Sequence, residues 1–239
     1  MLEGIRRQYP SSDVQSLQID LANLDSVRRA AGEYLGSGKP IDVLVNNAGS
    51  PGPTGLSPQG FDLTYATNHI GPFLLDQLLL PRIREASQGR IVNVASSAHF
   101  SAKQMDWVCS TAGRRLDAEW IPRLCLTKLM NVLHAKLARR LSGTAVTTYA
   151  VHPGAVATNI WRSLPGPVQW FIKLFMLSNE QRRRSLLYCA TAPELSSQTG
   201  RYYDRSREDP SSPLAADDNL ARGCGSGRKP SSEPEFRPA

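Results

Sequence analysis

The chain has 239 residues, 41% of them hydrophobic, which is enough for one domain with a sizeable core. Its formal net charge is +7, but the arginines stand as separated pairs (Arg6-Arg7, Arg28-Arg29, Arg139-Arg140) plus the run Arg182-Arg183-Arg184, with no interleaved aromatic residues. That pattern suits solvated helix faces and argues against a nucleic-acid-binding surface.

In chain order, residues 2–8 read as a helix and 14–19 as a strand. Residues 25–35 read as a helix capped by Asn23 or Asp25. The turn 36–40 leads into a strand at 41–45, an apolar run that stops at Asn46-Asn47-Ala48-Gly49. A loop rich in Gly and Pro precedes a long helix over 61–80. A strand at 91–95 ends in Ser96-Ser97, and an irregular stretch reaches residue 123. A helix over 124–141 follows, then a strand at 146–151 that ends in His152-Pro153-Gly154. The apolar stretch 168–177 is too short to span a bilayer, and is expected to be a half-buried helix against the core or a substrate pocket in preference to a membrane surface. A helix over 179–192 and a strand at 199–203 complete the pattern. From Asp204 onward Pro, Ser, Gly and charge dominate, which predicts a disordered tail over 205–239 behind a domain of residues 1–204.

Alternation of strands and helices predicts an α/β fold, a doubly wound, Rossmann-like parallel sheet with helices on both faces. Ligands bind such sheets outside the carboxyl ends of the strands. Three strand ends here carry small or polar groups, so they describe one rim with a pocket along it. Cys109, Cys125, Cys189 and Cys224 are scattered without a CxxC pair. This argues against a metal or disulfide framework and for a reducing, cytoplasmic setting. No signal-peptide core and no transmembrane run is present in the sequence.

The order of these pieces resembles the short-chain dehydrogenase/reductase family over roughly residues 4–205. Asn46-Asn47-Ala48-Gly49 resembles its sheet-stabilising motif and Asn68 its helix asparagine. Ser96, rather than Ser97, resembles its catalytic serine, and Lys128 its catalytic lysine. Pro153-Gly154 with Thr158 resembles its nicotinamide-side turn. The wording of residues 147–154, and of Thr127-Lys128-Leu129 with Asn131, is nearest the retinol-dehydrogenase-like branch, although Thr127 stands where serine is usual.

The resemblance implies hydride transfer between NADP or NAD, with NADP favoured, and an alcohol or carbonyl that is lipophilic and retinol-like. Ser96 would bond the substrate oxygen. Asn68 would hold a water that relays protons from Lys128, and Lys128 would bond the nicotinamide ribose. Asp20 would approach the adenine, or else serve as a helix cap. Asn46, Ala48 and Gly49 would line the adenosine ribose, and Thr158 would meet the carboxamide. Leu74, Leu75 and residues 161–177 would supply apolar walls. A homodimer would form through the helices carrying Asn68 and Lys128. His99 and His152 are expected to be structural, because no Cys, Asp or Glu cluster sits at ligand spacing.

Two departures stand beside these matches. Nothing before Val14 reads as a strand, and the glycine-rich turn that holds a pyrophosphate is not found. The sheet is therefore expected to lack its first two strands, to leave the 41–45 strand as a bare edge, and to leave 14–19 beside that edge or loosely held. The second departure is the Tyr-x-x-x-Lys pair, where Leu124 stands in place of tyrosine. Activity is expected to be weak or absent, and the competing reading is a catalytically dead remnant that serves as a binding or dimerisation module.

Overall fold

The computed structural model describes residues 2–50, 54–105, 120–136, 143–154 and 179–221. Five strands form one sheet in chain order: β1 (Val43–Asn46), β2 (Arg90–Val94), β3 (Thr147–His152), β4 (Arg201–Asp204) and β5 (Arg207–Glu208). The first four run parallel and β5 turns back antiparallel on β4. β2 and β3 are buried along their whole length, as strands covered on both faces of a parallel sheet should be.

Side-chain alternation sorts the core into two layers. Val92, Val94, Tyr149, Val151 and Tyr203 point to one face and pack with Cys189 and Leu195. That face is covered by α6 (Asn179–Thr191). On the opposite face Ile91 packs with Leu79 and Ile83 of α4 (Gly71–Ile83), and with Ala31 of α2 (Leu24–Gly36). Ala150 and Tyr202 on the same face meet Leu129, Val132 and Leu133 of α5 (Trp120–Lys136). α1 (Leu2–Gln8) buries no residue.

The long helix expected over 61–80 is three pieces in series. α3 (Leu63–Tyr65) runs into a π-helical turn, Ala66–Ile70, and then into α4. A π turn widens a helix locally and is frequent at functional positions. Here it carries Asn68 and His69, both buried. The start of α3 is tied to α5 by a buried ion pair, Arg123 Nη1 to Asp62 Oδ2 at 2.8 Å. The other oxygen of Asp62 caps α3 by accepting from Thr64 N and Tyr65 N.

Two expectations are corrected. Residues 14–19 form no strand. They lead into a turn at Asp20–Asn23 that packs on α4, where a Cβ on Gly71 would lie 2.1 Å from Leu21 O. Ile19 and Leu21 pack against Leu24, Val27 and Leu74 instead of a sheet edge. The alternating pattern had no strand to pair with, and burial against helices took its place. β1 pairs only with β2 among the described residues, and Val43 and Val45 are 37% and 40% exposed, so the bare edge is present.

The second correction concerns the tail. Order continues through 205–221: Asp209 N donates to Tyr202 O, Ser212 caps α7 (Pro213–Ala216), and Ala215 and Ala221 are buried against the α5 cluster. Residues 222–239 lie outside the described residues. Leu74, expected as a pocket wall, is core.

Candidate active site

The carboxyl ends of β1, β2 and β3 lie side by side, and α5 packs on β2 and β3. Lys128 is the centre of the arrangement. Its Nζ donates to Val94 O, the last residue of β2, at 2.9 Å. Asn131, nearly one turn later, donates to the same carbonyl at 3.2 Å. Lys128 is buried and no carboxylate among the described residues is paired with it, so desolvation pulls its pKa down to about 8.

Asn68 reaches the same point from the π turn. Its Oδ1 accepts from Ser50 N, and its Nδ2 donates to Ser50 O and to Thr127 Oγ1. Both amide protons are therefore used, and the side chain staples the loop after β1 to α5. Thr127 is fully buried and its hydroxyl in turn donates to Leu124 O. Gly49 lies in the stapled loop. A Cβ there would sit 3.4 Å from Asn68 Oδ1 and 3.5 Å from Lys128 Nζ. Gly49, Asn68 and Lys128 thus converge, as the motif order implied.

Ser96 follows β2 by one residue and is half-buried, with extended backbone, while Ser97 is exposed. Its Oγ accepts from Ala98 N and caps the 3₁₀ turn Ser97–Ser101. The turn is fixed by His99, whose Nδ1 donates to Ser96 O at 2.6 Å while Nε2 accepts from Ser212 N. Both ring nitrogens are thereby assigned to a neutral tautomer, and burial lowers its pKa, so His99 positions the serine turn. His152, at the end of β3, is also held neutral by burial, and its Nδ1 has no hydrogen-bond partner among the described residues.

The remaining expected positions differ in what they do. Asp20 is exposed and its carboxylate accepts from Ala22 N, which is a turn role. Asn46 donates to Asp76 Oδ1 and Asn93 Oδ1, holding β1, β2 and α4 together. Ala48 is exposed beside Gly49. Pro153 and Gly154 are buried, and Gly154 turns with φ of 98°, a conformation that favours glycine. Thr158 lies outside the described residues, as do 161–177. No group of His, Cys, Asp or Glu among the described residues is placed to hold a metal.

Sequence reasoning missed a polar network under the rim. Asp76 on α4 is buried with His134 Nε2 of α5 at 3.2 Å. The His134 ring stands edge-on to His69, and His69 Nδ1 is 3.3 Å from Asn131 Oδ1. Asp76 is the lone acid in the greasy helix Gly71–Ile83, a signal that it was buried for a reason. Desolvation lifts its pKa to about 7 and lowers those of His69 and His134 to about 4 and about 3.

The signs oppose each other. The lowered imidazoles contribute stability present above pH 6.5 and lost as pH falls toward 4, while the raised carboxyl contributes stability present below 3.8 and lost as pH rises toward 7. Between these limits the unfolded chain holds two protons on the imidazoles and the folded chain one on Asp76, a difference of 2 − 1 = 1. These groups should therefore make unfolding free energy rise by about 1.2 kcal/mol per pH unit from about 4.5 to 5.5. Asp76→Asn should steepen that slope by about one proton. Urea unfolding across this range checks it, and an unchanged slope would contradict the assignment.

The family model described as short chain dehydrogenase matches residues 1–167. The chain belongs to the short-chain dehydrogenase family. It is 35% identical to dehydrogenase/reductase SDR family member 13 of Bos taurus over 91% of this chain and 59% of that one. It is 32% identical to retinol dehydrogenase 13 of Homo sapiens, over 92% of this chain and 69% of the relative. Such relatives place it in the retinol-dehydrogenase-like branch. The chain spans about 59% of the length of the first of them. Among solved structures, an uncharacterised protein from Mycobacterium paratuberculosis superposes with a TM-score of 0.69 at 27% identity, covering 92% of this chain and 76% of that one. An NADPH-bound carbonyl reductase from chicken fatty liver shares the fold, with a TM-score of 0.58 at 20% identity over 85% of this chain and 79% of that one.

The groups at this rim suit a cofactor that offers hydroxyl groups. Lys128 has donors beyond the one given to Val94, and Gly49 places no side chain against it. A glycine-rich pyrophosphate turn is not among the described residues.

Proposed function

We propose that this short-chain dehydrogenase is an NAD(P)-dependent oxidoreductase that interconverts a lipophilic, retinol-like alcohol and its carbonyl, with NADPH the favoured reductant. The observation that carries this reading is the convergence of Gly49, Asn68 and Lys128 beside the serine turn at the rim of a parallel sheet. A bound nicotinamide would supply the hydride. The chain's own part is to hold it: Lys128 offers ammonium protons to ribose hydroxyls, Asn68 fixes the loop that borders it, and Ser96 presents a hydroxyl to the substrate oxygen. Asn46, Ala48, Asp20, Pro153, Gly154 and Thr158 are proposed for the remainder of the cofactor cradle.

Leu124 stands one turn before Lys128 and has no proton to give, so turnover is expected to be weak. The same residue favours a second reading, a module that binds cofactor or a second copy through the helices carrying Asn68 and Lys128 without chemistry. Buried free thiols at Cys125 and Cys189 are compatible with a cytoplasmic setting, and no helix among the described residues is long and apolar enough to cross a membrane. The test is product analysis after incubation with NADPH or NADH and all-trans-retinal. Slow formation of retinol supports the oxidoreductase. Cofactor binding with no alcohol formed supports the second reading.

A further inference from the structure

We propose that Ser212 and His99 are positioning residues for Ser96: a backbone amide of the segment after β5 holds the serine turn through a neutral imidazole, and acid releases it. The proposal rests on the site proposed above, where Ser96 meets the substrate oxygen, but its test needs neither cofactor nor substrate.

Ser212 N donates to His99 Nε2 at 3.1 Å, from 113 residues further along the chain. A backbone N–H can only donate. Nε2 must therefore present its lone pair, and the single proton of the neutral ring is forced onto Nδ1. There it points at Ser96 O, 2.6 Å away. His99 N donates to the same carbonyl at 3.1 Å, and Ala98 N donates to Ser96 Oγ at 3.2 Å, so this turn fixes both oxygens of the serine. Without the Ser212 amide the ring takes either tautomer, and the form protonated at Nε2 turns an Nδ1 lone pair on Ser96 O.

The amide is placed by its own segment. Asp209 N donates to Tyr202 O, and Lys136 Nζ of α5 donates to Ser211 Oγ at 3.0 Å. Ser212 Oγ accepts from Ala215 N, and Ala215 and Ala221 are buried in the α5 cluster. The imidazole is fully buried, with ring centroids 4.1 Å from Phe100 and 4.7 Å from Tyr202. A chain segment remote in sequence is thus tied to the serine by one ring.

Protonation puts a second N–H on Nε2, facing the N–H of Ser212, and two donors cannot share one hydrogen bond. Burial opposes the cation most, and Lys136 on α5 opposes it too; the Ser96 carbonyl and Asp209 favour it. His152 at the end of β3 is also coupled to the ring. The balance holds the His99 pKa below 6.5. The tie is therefore intact at neutral pH and is lost as pH falls through the lowered pKa.

The experiment is nitrogen-15 NMR of the histidine rings in the full chain, with amide exchange on the same samples. Ser212 has φ of −56°, within the range of proline, so Ser212→Pro removes the N–H and keeps that angle, while Ser212→Ala removes the hydroxyl cap and keeps the N–H. In the unaltered chain His99 should carry its proton on Nδ1 at neutral pH. It should titrate with a midpoint below 6.5, and the Ser212 and Ala98 amide signals should follow the same midpoint. In Ser212→Pro that midpoint should rise toward 6.5. The amides of Ala98 and His99 should then exchange about two- to tenfold faster, as for the loss of one net hydrogen bond, with those of β2 unchanged. Ser212→Ala should leave the tautomer and the exchange of the turn as they are. A proton on Nε2, a midpoint at or above 6.5, or a folded Ser212→Pro with unaltered exchange in the turn would overturn the proposal. The tautomer of the unaltered chain decides the matter where the proline variant fails to fold. Protonation at Nδ1 without NADPH binding sinks the oxidoreductase reading alone, and NADPH binding with Nε2 protonated sinks this one alone.

Discussion

Leu124→Tyr should raise NADPH-dependent carbonyl reduction by about 10²–10⁴, the usual contribution of a positioned general acid. Residues four apart on a helix share a face, so the phenol would stand over Lys128 on α5. An ordinary tyrosine titrates near 10. Beside an ammonium its phenolate is favoured and its pKa falls toward the working range. Leu124 is only half-buried, so the larger ring has room at the rim. Leu124→Phe adds the ring without the proton and should give no gain. Equal rates for the tyrosine and phenylalanine variants, with cofactor binding intact in both, would show that the missing proton is not what limits the chain.

Asp62→Ala should cost about 3–5 kcal/mol, since it strands a buried guanidinium. Arg123 and Asp62 form a 2.8 Å pair whose side chains are 10% and 7% exposed. Part of the loss, about 1 kcal/mol, is the cap of α3 that Asp62 also provides. The consequence reaches the site, because this pair fixes the π turn carrying Asn68 against the helix carrying Lys128. Removing both partners, as in Asp62→Ala with Arg123→Met, should recover much of the stability. Urea unfolding reads both variants. A single-variant loss of less than about 1 kcal/mol would contradict the pair's role.

The sheet was legible because β2 and β3 are buried on both faces, which writes a run of β-branched residues that few other contexts tolerate. Their ends were legible as amides, hydroxyls and glycine, and the convergence of Gly49, Asn68 and Lys128 followed from the order of those motifs. Residues 14–19 misled because alternation records a two-faced segment and says nothing about whether a neighbouring strand exists. Residues 205–221 misled for the opposite reason. Their polar, Pro-rich composition conceals a few decisive contacts, among them Ser212 with His99 and Ala215 with the α5 cluster. The Asp76–His134 network went unread because its members are far apart in sequence, although a lone aspartate in an apolar helix marked one end of it.

The most direct test is titration with NADPH, followed by energy transfer from tryptophan, on the unaltered chain and on Lys128→Met. The prediction is saturable binding by the unaltered chain, weakened about tenfold or more by loss of the ammonium, as expected for hydrogen bonds to a charged group. Absence of saturable binding, or equal binding by a folded Lys128→Met variant, would contradict a nicotinamide site at the ends of β1, β2 and β3.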